Sequence, residues 1–251
     1  VILATLEGGT AWAWDSWQSL GAFGVGIVAL LIFARVEREA DEPVLPPWLF
    51  SRRLLATTTL VGFGVGVLLL GVTTYVPTFL EARLGLRPLA SGLTLAPLLL
   101  GWPISASQAG RLYLRFGFRR TVLIGGTVAV TGAVALAVVS ARPSVPGIGG
   151  ACFLLGLGLG LVATPSLIAA QSSVEWAERG VVTGANMLAR SAGSAVGVAV
   201  LGALVNGLMG EVAAVQDPAR FGVASTAAFW TVAGVAVLMA AAGWAMPRQQ
   251  R

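Results

Sequence analysis

Residues 110–120, GRLYLRFGFRR, concentrate four arginines and two glycines in one short connector that contains no acidic residue. On either side the chain runs for about 20 residues without a charge, which is the length that a helix needs to cross a bilayer. The connector therefore predicts a tight turn between two membrane helices, with its arginines holding that turn on the cytoplasmic side.

The composition of the whole chain agrees with a membrane location. The 251 residues are 56% hydrophobic and 11% charged, with a mean hydropathy of +0.84. Soluble domains carry about 25% charged residues. Because apolar segments in lipid must satisfy their own backbone hydrogen bonds, the composition predicts an all-α integral membrane protein.

Seven apolar segments are long enough to span the bilayer as helices. They run roughly over residues 17–35, 54–80, 89–110, 120–140, 147–171, 180–208 and 223–246.

The arginines are distributed unequally between the two sides that these segments define. All 16 basic residues are arginine, and when the loops are assigned to alternate sides, eleven fall on one side and four on the other. Arg190 lies within a segment. The excess predicts which side is cytoplasmic, and with it a multi-pass protein of the cell inner (plasma) membrane whose C-terminus is cytoplasmic. The same distribution argues against a nucleic-acid partner.

One charged connector divides the chain. Residues 36–53 contain three prolines and charges of both signs, which indicates a cytoplasmic linker between units. Before it we expect the end of a preceding helix with an outer loop (1–16) and one transmembrane helix (17–35). After it we expect a six-helix unit (54–246) and a cytoplasmic tail (247–251). Since Val1 is not an initiator methionine, we expect the chain to be the C-terminal part of something longer.

A six-helix unit with a glycine- and arginine-rich loop between its second and third helices resembles one half of a major facilitator superfamily transporter. The loop motif of that family is matched by Gly110, Leu112, Arg115, Gly117, Arg119 and Arg120. Its acidic position is occupied by Leu114, as in a degraded C-terminal copy. The stretches EGGTAWAWDSW, EPVLPPWLF, YVPTFLEARLGLRPLASGLTLAP and RGVVTGANMLARSAGSAVGVAVLGAL together resemble the fourteen-helix drug:proton antiporter branch.

The resemblance implies a role for each segment. Segment 17–35 would be the second of two extra helices, and 54–80 and 147–171 would be the principal lining of a central cavity. The polar or aromatic side chains available to that cavity are Thr73, Thr74, Tyr75, Phe79, Gln108, Gln171, Asn186 and Arg190. An aromatic, weakly polar surface suits bulky hydrophobic or cationic small molecules.

Arg190 and Asn186 leave two interpretations open. Arg190 lies eleven residues after Arg179, about 16 Å along a helix, where a charge costs at least about 2.5–3.5 kcal/mol in lipid. Both residues could line the pathway or pair with an acid of a missing N-terminal half. Alternatively, Arg190 extends toward the headgroups while Asn186 packs between helices. In the same helix Gly193 and Gly197 predict close helix packing, and Pro165 predicts a bendable helix.

The acidic residues and possible ligands set limits on the chemistry. None of the 11 acids falls near a membrane midplane, so a proton-coupling acid is expected in the missing N-terminal half; Glu81 and Asp15 are weaker candidates at the outer face. With one cysteine, Cys152, and no histidine, we expect no metal site and no cofactor.

The leading hypothesis is the C-terminal half of a proton-coupled multidrug exporter that works by alternating access, with small molecules, protons and the lipid bilayer as its partners. A second hypothesis keeps the fold and exports one metabolite, such as an antibiotic or a siderophore. A third is a transport-inactive membrane sensor or scaffold. We do not expect an enzyme, because no nucleophile–base pair or metal-binding group is recognisable.

Overall fold

The computed structural model describes residues 16–39, 46–209 and 218–247, and within these ranges the chain is helical with no strand. The predicted all-α fold is confirmed. The helices are α1 (Trp17–Glu39), α2 (Pro47–Ser51), α3 (Arg53–Leu84), α4 (Pro88–Leu93), α5 (Ala96–Phe116), α6 (Phe118–Ser140), α7 (Val145–Ser172), α8 (Arg179–Met209) and α9 (Pro218–Trp244).

Among the residues searched, six helical stretches are long and apolar enough to cross a membrane, with α4 and α5 together forming one of them. They correspond to the six predicted segments after the linker. Helix α1 coincides with the predicted extra helix, but its role as a span and the domain boundaries stay predictions. Predictions that concern residues 1–15, 40–45, 210–217 and 248–251 lie outside the described residues.

The six candidate membrane helices pack in a pattern that occurs twice within the bundle. Helices α3 and α7 contact each other at its centre; α3 also packs against α8 and α9, and α7 packs against α5 and α6. Contacts between α6 and α9 close one side. Exchanging α3 with α7, α5 with α8 and α6 with α9 reproduces the same contacts. Since exchanged helices run in opposite directions, α3–α6 and α7–α9 form two inverted repeats related by a pseudo-two-fold axis in the membrane plane.

The closest helix contacts obey the same symmetry. A Cβ atom on Gly66 of α3 would overlap the carbonyl oxygen of Arg190 in α8, and one on Gly160 of α7 would overlap the carbonyl oxygen of Trp102 in α5. In both cases the next backbone contact is the amide nitrogen four residues further along the partner helix. The glycines therefore let two equivalent helix pairs meet backbone to backbone, and Arg190 and Trp102 are equivalent residues.

The tight turn predicted within residues 110–120 lies at Gly117, which alone interrupts the helix there, and the residues on both sides of it are helical. Gly117 has a φ of 85° and a ψ of 159°, a conformation that L-residues with a side chain rarely adopt. Its N–H donates to the carbonyl of Tyr113, whose ring stacks on Phe118 with centroids 4.6 Å apart. The remaining residues continue α5 and α6, since arginine and aromatic side chains are good occupants of helix ends at a membrane surface.

Two arginines donate hydrogen bonds to the carbonyl groups at the carboxyl end of α9. The Nη2 of Arg119 donates to the carbonyl oxygen of Trp244 at 2.8 Å, and the Nε of Arg53 donates to that of Ala245 at 3.0 Å. These carbonyls have no partner within their own helix, and cations are favourable at a helix C-terminus. Arg119 of the connector and Arg53 of the linker thus do more than mark topology, because they tie α6 and α3 to α9.

Contacts at the two ends of the bundle agree with alternating helix directions. At the end that carries the arginine-rich connectors, Arg52 forms an ion pair with Glu178 at 3.4 Å. At the opposite end, the hydroxyl of Ser140 lies 3.2 Å from that of Thr226. The connectors that the sequence assigned to one side therefore lie together.

The seam between α3 and α8 can be tested with an alanine at Gly193, where a Cβ would overlap the carbonyl of Phe63 on α3. Forcing two backbones apart costs about 1–3 kcal/mol. We expect Gly193→Ala to lower the thermal midpoint and the folded yield in detergent, as measured by size-exclusion chromatography. Gly184→Ala on the same helix is the matched control, because its Cβ meets nothing within 4 Å and should leave both quantities unchanged. If the two variants had equal effects, the close contact between α3 and α8 would not be what stabilises the bundle.

The cap on α9 gives a second prediction. Arg119→Gln should speed hydrogen exchange in the last turn of α9 by about five- to thirtyfold, corresponding to about 1–2 kcal/mol. Arg120→Gln removes the same charge from the neighbouring, exposed position and serves as the control. If both variants exchange at the same rate, Arg119 does not cap α9.

Candidate functional site

Arg190 and Trp102 meet where the pseudo-two-fold axis leaves the bundle between α8 and α5. The guanidinium carbon of Arg190 lies 4.8 Å from the centroid of the Trp102 ring, within the range of a cation–π interaction. Residues that are equivalent in two inverted repeats can touch only near the axis, which places this pair at mid-height in the bundle. The other exit of the axis is closed by α6 and α9.

The side chain of Arg190 extends across the bundle toward α5 and is half-buried. The geometry does not show it extending along α8 toward a helix end. In the described part of the chain, no carboxylate lies within ion-pair distance of it. Its contact with Trp102 leaves the N–H donors of the guanidinium available to a further acceptor.

Asn186 and Tyr75 lie along the seam between α3 and α8. The Nδ2 of Asn186 donates to the carbonyl oxygen of Thr58 at 3.1 Å. The hydroxyl of Tyr75 lies 3.5 Å from the carbonyl oxygen of Val198. Both polar groups therefore face the backbone of the neighbouring helix, on the two sides of the glycine contacts.

The two glutamines lie toward the arginine-rich end, apart from this seam. The Nε2 of Gln171 donates to the hydroxyl of Thr183 at 2.7 Å, which links α7 to α8. The Oε1 of Gln108 accepts from Arg111 at 3.1 Å on the exposed side of α5. The structure does not bring the glutamines together with Arg190.

The two threonines of the predicted cavity lie nearer the other end of α3. Thr73 donates to the carbonyl oxygen of Leu69 at 2.9 Å, within its own helix, and Thr74 is exposed. Glu81, one turn before the end of α3, accepts from the hydroxyl of Ser91 at 2.6 Å. Asp15, the other acid considered at the outer face, lies outside the described residues.

Phe79 must be removed from the predicted cavity residues. It is fully buried, and its ring packs edge to face against Phe229 with centroids 5.3 Å apart. An aromatic side chain on α3 reaches the interior as readily as the surface, and the sequence does not distinguish the two directions.

The glycines and the proline that the sequence indicated for helix packing and bending lie at close helix contacts or in the interior of the bundle. Gly193 lies against the backbone of Phe63, and Gly197 lies against that of Val67. Pro165 is buried within α7, which runs without a break from Val145 to Ser172.

The motif residues at the end of α5 and the start of α6 lie away from Arg190. Gly117 and Arg119 form the turn and the cap described above, and Arg115 lies over the ring of Phe116 at 5.1 Å. A Cβ on Gly110 would meet open space. The exposed Arg120 and the half-buried Leu112 complete the motif.

Trp102 and Gly66 are the site residues that sequence reasoning missed. Trp102 interrupts an aliphatic run between Gly101 and Pro103, which is a detectable signal for a tryptophan far from a membrane interface. Gly66 is one of several glycines in α3, and nothing in its neighbours indicates the contact with α8.

A cavity of about 480 Å³ opens at the amino-terminal ends of α5 and α7. Leu93, Pro97, Val145 and Phe153 are among its lining residues, and its surface is mainly apolar. None of the residues predicted for substrate binding lines it. The described residues contain no group of three or more cysteine, histidine or acidic side chains that could hold a metal ion.

Comparison with known proteins connects this arrangement to a family. A family model described as Major Facilitator Superfamily matches residues 1–198. The multidrug transporter protein MdtP of Bacillus subtilis (strain 168) is 32% identical to this chain over 84% of the chain and 39% of its own length.

Two actinomycete proteins are also similar. A tetracycline resistance determinant of Streptomyces rimosus is 34% identical over 80% of the chain and 58% of its own length. The tetracenomycin C resistance and export protein of Streptomyces glaucescens is 29% identical over 80% of the chain and 38% of its own length. This chain thus spans between about two fifths and three fifths of the length of these relatives. The chain belongs to the major facilitator superfamily, and its relatives place it in the drug:proton antiporter branch.

Proposed function

We propose that this chain forms the C-terminal half of a proton-coupled multidrug exporter that works by alternating access. The observation that carries the proposal is the inverted-repeat bundle, whose axis emerges at Arg190 and Trp102 on a face that α6 and α9 leave uncovered. In transporters built from such repeats, substrate sites lie near the bilayer midplane at the repeat interface. The efflux and resistance proteins among the relatives support the same function.

The remaining length of the relatives suggests the partner of this face. An N-terminal half would complete the cavity, and the two halves would rock about the central site. The glycine seams support this mechanism, because backbone contacts make this half stiff enough to move as one body. Residues 1–16 would then be the end of a preceding helix with an outer loop, α1 an additional membrane helix, and residues 36–53 the cytoplasmic linker.

The proposed cavity surface consists of Thr73, Thr74, Tyr75, Gln108, Gln171, Asn186 and Arg190, together with Trp102. Most of their polar groups already form hydrogen bonds within the bundle, so beside Arg190 this surface offers few free directed polar groups, which favours bulky hydrophobic compounds. Attraction for cations would need acidic side chains from outside the described helices, since their acids lie near helix ends. The proton-carrying acid is proposed to lie in the N-terminal half for the same reason.

The proposed orientation in the plasma membrane, with a cytoplasmic C-terminus, can be tested by labelling. The native Cys152 is fully buried, so a single introduced cysteine should dominate the reaction with an impermeant maleimide. We expect Arg142→Cys to react in intact cells and Arg120→Cys to react only in inverted vesicles. The unsubstituted chain gives the background, and the reverse labelling pattern would overturn the orientation.

Proton coupling can be tested in energised inverted vesicles that contain the complete transporter and a pH-sensitive dye. We expect several unrelated hydrophobic compounds, added singly, to dissipate the proton gradient as each enters the lumen in exchange for protons. Vesicles with this chain alone should not respond, because they hold half of the proposed cavity. A complete transporter that moves the compounds without any effect on the gradient would contradict antiport.

A further inference from the structure

We propose that Arg190, positioned over Trp102 at the pseudo-two-fold axis, binds a carboxylate or a similar planar anion carried by the transported compound. The inference rests on the proposed function and deepens it, because it names a substrate class: hydrophobic or aromatic compounds that carry an acidic group. Three observations support it.

The first observation is the incomplete solvation of the guanidinium. Burying an arginine at this depth costs more free energy than a single cation–π contact returns. Among the described residues, Trp102 is the partner found for the Arg190 side chain, and it satisfies none of the five N–H donors. An anion at this position would accept those hydrogen bonds and neutralise the charge.

The second observation is the distribution of charge at this height of the bundle. Arg190 lies eleven residues from the start of α8 and nineteen from its end, whereas the acids in the described residues lie in connectors or within one turn of a helix end. The described half therefore contributes positive charge to its uncovered face. In a site of low dielectric, that charge attracts anions and repels cations.

The third observation is preorganisation. The carbonyl oxygen of Arg190 lies against Gly66, and that of Trp102 lies against Gly160, so both backbones are fixed by close helix contacts. A planar guanidinium binds a carboxylate through two parallel hydrogen bonds, and the adjacent indole offers an apolar surface to the rest of the compound. The site thus needs little rearrangement to bind such a ligand.

The first arm of the test measures binding to the complete transporter in lipid nanodiscs. The probes are pyrene butyrate, its neutral primary amide and pyrene butylammonium, which share a ring system and differ in charge. We expect the carboxylate to bind tightest and its affinity to fall about tenfold or more in Arg190→Gln, while the affinity for the amide changes less than about threefold.

Two further variants and one control refine this arm. Arg190→Lys keeps the charge without the planar fork and should recover part of the loss, which protects the test if Arg190→Gln folds poorly. Trp102→Phe keeps a ring and should weaken all three probes modestly. Arg142→Gln makes the same chemical change in the exposed connector between α6 and α7 and should alter none of the affinities.

The second arm measures transport of the same probes into inverted vesicles, and it separates two sources of the anion. A loss in Arg190→Gln that is confined to the carboxylate assigns the anion to the substrate. A loss of transport for all three probes, with partial recovery in Arg190→Lys, assigns the carboxylate to a side chain of the other half and overturns the substrate proposal.

The two arms also separate this inference from the proposed function. Arginine-dependent binding of the carboxylate without transport would support the inference and contradict the exporter. Transport in which Arg190→Gln affects the carboxylate and the amide equally little would support the exporter and overturn the inference.

Discussion

The contact of Gly66 with the backbone of α8, and its counterpart between Gly160 and α5, is the constraint on which the bundle depends. A side chain at either position would occupy the space of a carbonyl oxygen on the neighbouring helix. In lipid, helices gain little from hydrophobic attraction, so association depends on close packing of this kind. The two contacts join α8 and α5 to the central pair, each to the central helix of the other repeat, and they bring Arg190 and Trp102 to the axis.

The polar groups of the bundle follow from the same contact. Where two backbones approach this closely, side chains of the flanking turns reach the carbonyl groups of the partner helix, as Asn186 and Tyr75 do. These side chains support the seam between α3 and α8. In the proposed cavity a residue of this kind would serve packing and substrate contact together, so the two interpretations that the sequence offers for Asn186 are compatible.

The sequence predicted the helices well because membrane helices are recognisable by their length and lack of charge. It placed a tight turn within residues 110–120 but did not predict that a single glycine with positive φ forms it. It also misplaced Phe79, because apolar character in a membrane protein does not distinguish the interior from an outward face. Trp102 was missed for a related reason: its importance comes from Arg190, a residue 88 positions away, and the pairing follows from symmetry that only the packed helices reveal.

The junction at Gly117 has a mechanical consequence. Gly117 is the one residue between α5 and α6, so only its two backbone torsion angles can absorb a change in the angle between these helices. A tilt of α5 is therefore transmitted almost fully to α6. Arg119, two residues further, conveys the same displacement to the end of α9. A change beside Trp102 is thereby coupled to the opposite flank of the bundle, formed by α6 and α9. In a complete transporter whose α6 and α9 face lipid, the lateral pressure and thickness of the bilayer would act on that flank and thereby on the geometry at Arg190.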